Sequence, residues 1–321
     1  MITVIGESLV DIISDPRRSG STHAGPTREH PGGSPLNVSV GVARLGPATN
    51  LVTHYADDRY GLMIEEHLHS NGVAVIRGGS APTSTATATL NPGGAATYVF
   101  DISWDINGAS LPALAAVEGS VHVHTGSIAA VLPPGDQATL ALVKAARENA
   151  TVSYDPNCRP GISPDVAAAR AQAEAFVAAS DVVKASDEDL SWLYPDRSPE
   201  ESLAAWLESG PSLVALTRGA DGPVLMTRSG SVELAAEPIT VADTVGAGDS
   251  FMAGLICGLA QLDALGAPAR SRLQDITPGE LHALAVYANR SAAITCSRPG
   301  ANPPTSAELG SLTGSLTASE G

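Results

Sequence analysis

Basic residues are scarce in this chain: 18 Lys and Arg stand against 34 Asp and Glu, a formal net charge of -16. A surface of that sign repels a polyanion, and no Lys/Arg cluster makes a local exception, so nucleic acid is not an expected partner. Cysteine is nearly missing. Cys158, Cys257 and Cys296 are odd in number, far apart and without CxxC or Cys/His spacing, which argues against a disulfide framework and a zinc site. No uninterrupted apolar run is long enough to cross a bilayer, so no membrane partner is expected. The first apolar run is broken by Glu7 and Asp11 and has no basic residues before it, so it does not read as a signal peptide and a cytoplasmic location is the expectation. Two phosphate-binding motifs are missing as well: GxxxxGK(S/T) occurs nowhere, and no GxGxxG follows the first strand. Any phosphate must be held another way.

What is present is enough for a large core: 321 residues, 43% of them hydrophobic, which suits one main domain with an appendage. Residues 2–5 read as a buried strand, 36–45 as a helix after a glycine turn, and 63–70 as a helix stopped by Asn71-Gly72. Further on, short apolar strands at 121–125, 152–155, 182–184, 213–217 and 224–227 alternate with helical stretches at 137–149, 166–178, 199–209, 248–259 and 278–293. That alternation predicts an α/β fold, a three-layer αβα sandwich around a mainly parallel sheet, with ligands at the carboxyl ends of the strands. Between Thr83 and Asp101 the period changes to strict alternation around the turn Asn91-Pro92-Gly93-Gly94, which marks an inserted hairpin. Together with the segment around Ile12 it would make a small β-sheet lid over a cleft. The expected domain is 1–309, with lid segments at about 11–15 and 83–104, followed by a Gly/Ser/Thr-rich tail, 310–321, expected to be mobile. His122 and His124 alternate onto one strand face without a third ligand, so they read as packed or hydrogen-bonded rather than metal-binding.

The chemistry concentrates in Asp243-Thr244-Val245-Gly246-Ala247-Gly248-Asp249, which runs straight into the amphipathic stretch Ser250-Phe251-Met252-Ala253-Gly254-Leu255. A glycine turn opening into a helix offers free amides and a favourable dipole to a phosphoryl group. Asp249 beside those amides could take a proton from an attacking hydroxyl. The plainer alternative is that the glycines only shape a turn and Asp249 caps the helix.

Together, Gly32-Gly33-Ser34-Pro35-Leu36-Asn37-Val38-Ser39-Val40-Gly41-Val42-Ala43-Arg44-Leu45-Gly46 and the segment from Asp243 to Gly254 resemble, in order and separation, the two signature motifs of the ribokinase-like (PfkB) carbohydrate kinases. The resemblance covers nearly the whole chain except the tail. It implies ATP as phosphoryl donor, magnesium, Asp249 as base, and an anion hole at Gly246, Ala247 and Gly248. Asp11, Gly33 and Asn37 match the positions that hold the sugar, and Tyr98 resembles the lid aromatic of fructokinases and ketodeoxygluconate kinases. Asp155-Pro156-Asn157-Cys158-Arg159 matches DxNxR, which puts Arg159 near substrate or phosphates; otherwise Asp155 and Arg159 only brace their loop by pairing with each other.

For the nucleotide, Ser186 and Asp189 stand where the family has NxxE, with Asp189 implied in the magnesium water shell although it is shorter than Glu. Thr217, Gly219 and Gly222 lie in the turn beside ATP, and Asn289 on the adenine side. Asp243, Val245 and Gly300 belong to segments whose carbonyls bind potassium in the family. The expected reaction is phosphorylation of a sugar hydroxyl, fructose first, with 2-keto-3-deoxygluconate or ribose as alternatives. A non-catalytic sugar-binding regulator is the reading from a different class. A homodimer through the lid and a monomer both fit.

Overall fold

The computed structural model describes residues 1–14, 27–90 and 96–312, without the side chains of Ser14, Thr89, Leu90 and 96–98. In chain order its strands are β1 (Ile2–Ile5), β2 (Leu9–Ser14), β3 (Thr27–Gly32), β4 (Thr49–Thr53), β5 (Val73–Arg77), β6 (Ser84–Leu90), β7 (Ala96–Asp101), β8 (His122–Gly126), β9 (Thr151–Asp155), β10 (Val182–Ser186), β11 (Leu213–Thr217), β12 (Val224–Thr227) and β13 (Gly230–Glu233). A nine-stranded sheet has the order β13-β12-β11-β10-β9-β8-β1-β4-β5, and a four-stranded sheet has β3-β2-β6-β7. The large sheet is parallel except at β12 and β13, which form an antiparallel edge.

Helices cover both faces of the large sheet, as the alternating pattern requires. On one face α1 (Ser34–Arg44) and α2 (Arg59–Ser70) pack through Leu36, Val38 and Ile64. On the other lie α3 (Ser110–Glu118), α4 (Gly135–Ala146), α5 (Val166–Ala178), α6 (Asp187–Leu193) and α7 (Pro199–Glu208), contributing Val117, Val143, Phe176, Leu190 and Leu203. The first face is completed by α8 (Ala247–Gln261), α9 (Arg270–Gln274), α10 (Pro278–Cys296) and α11 (Ser306–Leu309), with Met252, Leu273, Leu284 and Leu309 inside. Helix starts follow their local chemistry: α7 and α10 each begin with a Ser or Thr cap, a proline in the first turn and a reciprocal glutamate three residues on.

The small sheet is the expected lid, but it begins at Leu9 and includes β3, which alternation did not mark. Its residues Leu9 and Ala86 rest on Ile128 of the main domain. The turn at Asn91 to Gly94 lies outside the described residues. Within the segment expected to be mobile, Leu312 is fully buried in the first core, and its amide donates to Gln261 Oε1 at 2.8 Å.

His122 and His124 are buried beside Ser153: Nε2 of the first and Nδ1 of the second lie 2.8 and 2.9 Å from its hydroxyl. Burial pushes both imidazoles down to about 3, so they are neutral packing residues. No helix among the described residues is long and apolar enough to cross a membrane.

Candidate active site

The parallel strands β1, β8, β9, β10 and β11 run side by side and end along one edge of the sheet. The amino terminus of α8 sits over that edge. Gly246 caps it in the left-handed region with φ 74, where a side chain would be strained. A Cβ there would also lie 2.6 Å from Ala301 Cβ, so the 297–301 loop closes directly against the turn. Among the described residues, the amides of Gly248 and Asp249 have no acceptor, whereas Ala247 donates back to Thr244 O at 3.3 Å. These open amides are the groups that favour an anion at a helix start.

Asp249 is buried beside them, and the two sequence motifs meet at its carboxylate. Ser34 Oγ donates to Oδ1 at 2.6 Å, and Asn37 Nδ2 donates to Oδ2 at 2.8 Å. Gly33, at φ 106, lies so close to β1's extension that a Cβ would sit 2.6 Å from Glu7 O. The Asp11 carboxylate rests against Gly32: a Cβ there would be 2.2 Å from Asp11 Oδ2. Burial raises the Asp11 pKa, and the positive groups His30 and Arg159 work against that rise.

Glu7 lies behind this group, 1% exposed. Its Oε2 accepts from Ala129 N at 3.1 Å, while Oε1 has no hydrogen-bond partner among the described residues. Burial drives its pKa up to about 7. Arg159 is exposed and bonds through Nη1 to Asn157 O, Asn157 Oδ1 and Cys158 O. Asp155 does not pair with it. Lys184 of β10 donates to Asp155 Oδ2 at 2.8 Å instead, because the parallel pairing of β9 and β10 puts the two chains side by side inside the protein. Tyr98 pairs with Ala88 through the lid backbone, but its side chain lies outside the described residues.

A proton acceptor, open helix amides and the Asp11 carboxylate, unbonded among the described residues, suit phosphoryl transfer to an alcohol. Residues 1–308 match the description "pfkB family carbohydrate kinase". A fructokinase from Rhizobium leguminosarum bv. trifolii is 33% identical over 264 residues, which span 81% of this chain and 79% of that protein. The structure of a fructokinase with bound ATP from Xylella fastidiosa matches with a TM-score of 0.83 at 22% identity, covering 100% of this chain and 99% of that one. A fructokinase double mutant from Vibrio cholerae O395, bound to fructose, ADP and potassium ion, matches with a TM-score of 0.73 at 23% identity, covering 99% and 98%.

This chain belongs to the pfkB family of carbohydrate kinases. It is a sugar phosphotransferase.

In this kinase the positions expected at the nucleotide also cluster. Ser186 and Thr217 are direct neighbours on β10 and β11. Gly219 and Gly222 follow in left-handed conformations at φ 51 and 78. Asp189 is committed to the protein: Oδ1 accepts from Cys158 N at 2.6 Å, and Oδ2 from the Ser186 amide and hydroxyl at 2.9 and 2.7 Å. Asn289 likewise donates to Ala235 O at 3.0 Å, tying α10 to the segment before the turn. Asp243 accepts from Val245 N at 3.1 Å and from Gly300 N at 2.9 Å, joining the two segments expected at the cation. The sequence reading missed Ser34, Glu7 and Lys184. A lysine inside the apolar run Val182-Val183-Lys184-Ala185 was the available signal, since a buried lysine requires a partner.

Proposed function

We propose that this kinase phosphorylates fructose with ATP and magnesium, using Asp249 as the base. The observation that carries the reading is the buried Asp249 carboxylate, held at both oxygens by Ser34 and Asn37 next to the open amides of Gly248 and Asp249. A hydroxyl placed there gives its proton to Asp249 as its oxygen bonds to the γ-phosphorus and the bond to ADP's bridging oxygen breaks. The amides and the α8 dipole meet the charge on the transferring group.

Asp11, Gly33 and Asn37 orient the sugar, with Tyr98 from the lid. The free Asp11 carboxylate supports this, because it takes no hydrogen bond from the described residues. Fructose is supported by the names of the relatives. Magnesium supplies charge neutralisation on the phosphates when it is bound with ATP. Asp189 would act on its water shell through lone pairs left by the donors it already accepts. Thr217, Gly219, Gly222 and Asn289 would flank the nucleotide. Potassium would sit at the carbonyls of the Asp243, Val245 and Gly300 segments, which the Asp243 side chain holds together. Two lids would pair across a homodimer through exposed Val99.

One observation favours a second substrate. Among the described residues the Arg159 guanidinium bonds only through Nη1, leaving Nε and Nη2 for the carboxylate of a sugar acid such as 2-keto-3-deoxygluconate. ADP release from ATP and magnesium over fructose, ketodeoxygluconate, ribose and tagatose, with and without potassium, separates the readings. Fructose should give the highest kcat/KM. Preference for ketodeoxygluconate would assign Arg159 to its carboxylate, and no turnover on any sugar by folded protein would support a non-catalytic binder.

A further inference from the structure

We propose that Lys184 is a charged donor of the anion hole, an ammonium fixed beneath Gly248 that meets the negative charge of the transferring phosphoryl group. The inference rests on the reading of Asp249 and its turn as the reacting site.

Lys184 projects from β10, a strand otherwise made of small and apolar residues, and its side chain is 5% exposed. Lysine is almost never buried without a purpose or a partner. Its partner is Asp155, 1% exposed, with Nζ and Oδ2 2.8 Å apart. A well-packed apolar pair at these two positions would serve the fold as well or better, so packing alone does not account for the ions. The position of the ammonium does. A Cβ built on Gly248 would lie 3.0 Å from Lys184 Nζ and meets no other side chain so closely. Gly248 is thus the residue that lets the α8 turn settle onto the ammonium, and its own amide is one of the two left open.

An ammonium has three N–H donors. Asp155 takes one, and no other acceptor for Nζ occurs among the described residues. Burial works against the charge, but Asp155, Asp189 and Asp249 together hold the Lys184 pKa above its ordinary value. The result is an ammonium with unspent donors, pinned by the Asp155 carboxylate beneath the α8 turn. A fixed charge aimed at such a position acts in low dielectric and needs no reorganisation during the reaction. Asp155 is then the positioning residue for Lys184, and through this lysine the DxNxR loop reaches the α8 turn although Asp155 does not touch Arg159.

The test uses the full-length kinase and three variants: Lys184→Met, Asp155→Asn, and the two combined. Lys184→Met leaves the Asp155 carboxylate buried without its cation and should lower Tm. The combined variant removes both charges and should recover Tm toward wild type. Its kcat should nevertheless stay about 100-fold below wild type, the usual effect of removing one fixed donor to a developing anion, while KM for the sugar stays near the wild-type value. Asp155→Asn keeps the ammonium and an acceptor oxygen but loses the charge that pins it, so kcat should fall by less than in Lys184→Met, and the charge can be assessed even if the combined variant folds poorly. A combined variant with wild-type kcat, or Asp155→Asn losing as much kcat as Lys184→Met, would overturn the proposal. Asp249→Asn keeps the two failures apart. If it is inactive while the Lys184 variants turn over normally, only the Lys184 inference falls; if it is active, the reading of the site falls first.

Discussion

On the α8 side of the cleft every carboxylate is fully engaged. Asp249 accepts from Ser34 and Asn37, Asp155 from Lys184 and the Asn157 amide, and Asp189 from Cys158 and Ser186, each with donors at both oxygens. On the lid side, among the described residues, neither the half-buried Asp11 carboxylate nor the buried Glu7 Oε1 accepts a hydrogen bond. A buried acceptor without a donor is unfavourable by about 1–3 kcal/mol, a cost that falls on Glu7 and not on the half-buried Asp11, which solvent reaches until a ligand displaces it. On the proposed assignment, the half of the cleft that would receive phosphate is organised before substrate arrives, and the half that would hold the sugar has acceptors to spare. That assignment would put catalytic precision and substrate affinity on different sides.

Asp249→Asn should break the organised side most severely. Loss of general-base function should lower kcat by about 10²–10⁴-fold, with Tm nearly unchanged because the amide still accepts one of the two donors. Asp11→Ala addresses the open side. It should raise KM for the sugar by about 10²-fold, the scale of two charge-assisted hydrogen bonds, without loss of stability, since no described partner is orphaned. A fall in Tm comparable to that of a core mutation would show that Asp11 is structural after all. Ser34→Ala should be milder: about 10-fold in kcat for one lost donor to a carboxylate, with sugar KM unaffected in steady-state assays.

Glu7 sharpens the contrast through pH. Below its ordinary value of 4.5, folded and unfolded chains both hold the Glu7 proton. Between 4.5 and about 7 only the folded chain holds it, so this group makes stability fall as pH rises through that window. Glu7→Gln should remove that slope, gaining about 3 kcal/mol on wild type between pH 4 and pH 8. Urea unfolding at the two pH values measures it, and a parallel pH dependence in both proteins would mean that Glu7 is already partnered.

Much of this was legible in the residues, and the rest failed for physical reasons. Helices α7 and α10 announce their own starts, because Ser198-Pro199 with Glu201 and Thr277-Pro278 with Glu280 carry cap and countercap within four residues. Strand β3, Thr-Arg-Glu-His-Pro-Gly, carries no apolar alternation and is defined only by its ladder to β2. The apolar pattern ends the strand at Lys184, whereas β10 continues to Ser186 through its ladder to β11, with Asp155 neutralising the lysine inside. Asp249, Asp11 and Asn37 could be found through motifs. The hydrogen bond from Ser34 to Asp249 joins residues 215 apart, and the pairing of Asp155 with Lys184 rather than Arg159 depends on strand order. Neither leaves a mark in local sequence.

The division between an organised phosphate side and an incomplete sugar side is tested most directly by calorimetric titration of fructose into Asp249→Asn. Fructose should bind with a Kd close to that of the wild-type kinase in a protein whose turnover has collapsed; loss of fructose binding together with turnover would contradict the division, since affinity and chemistry would then reside in the same carboxylate.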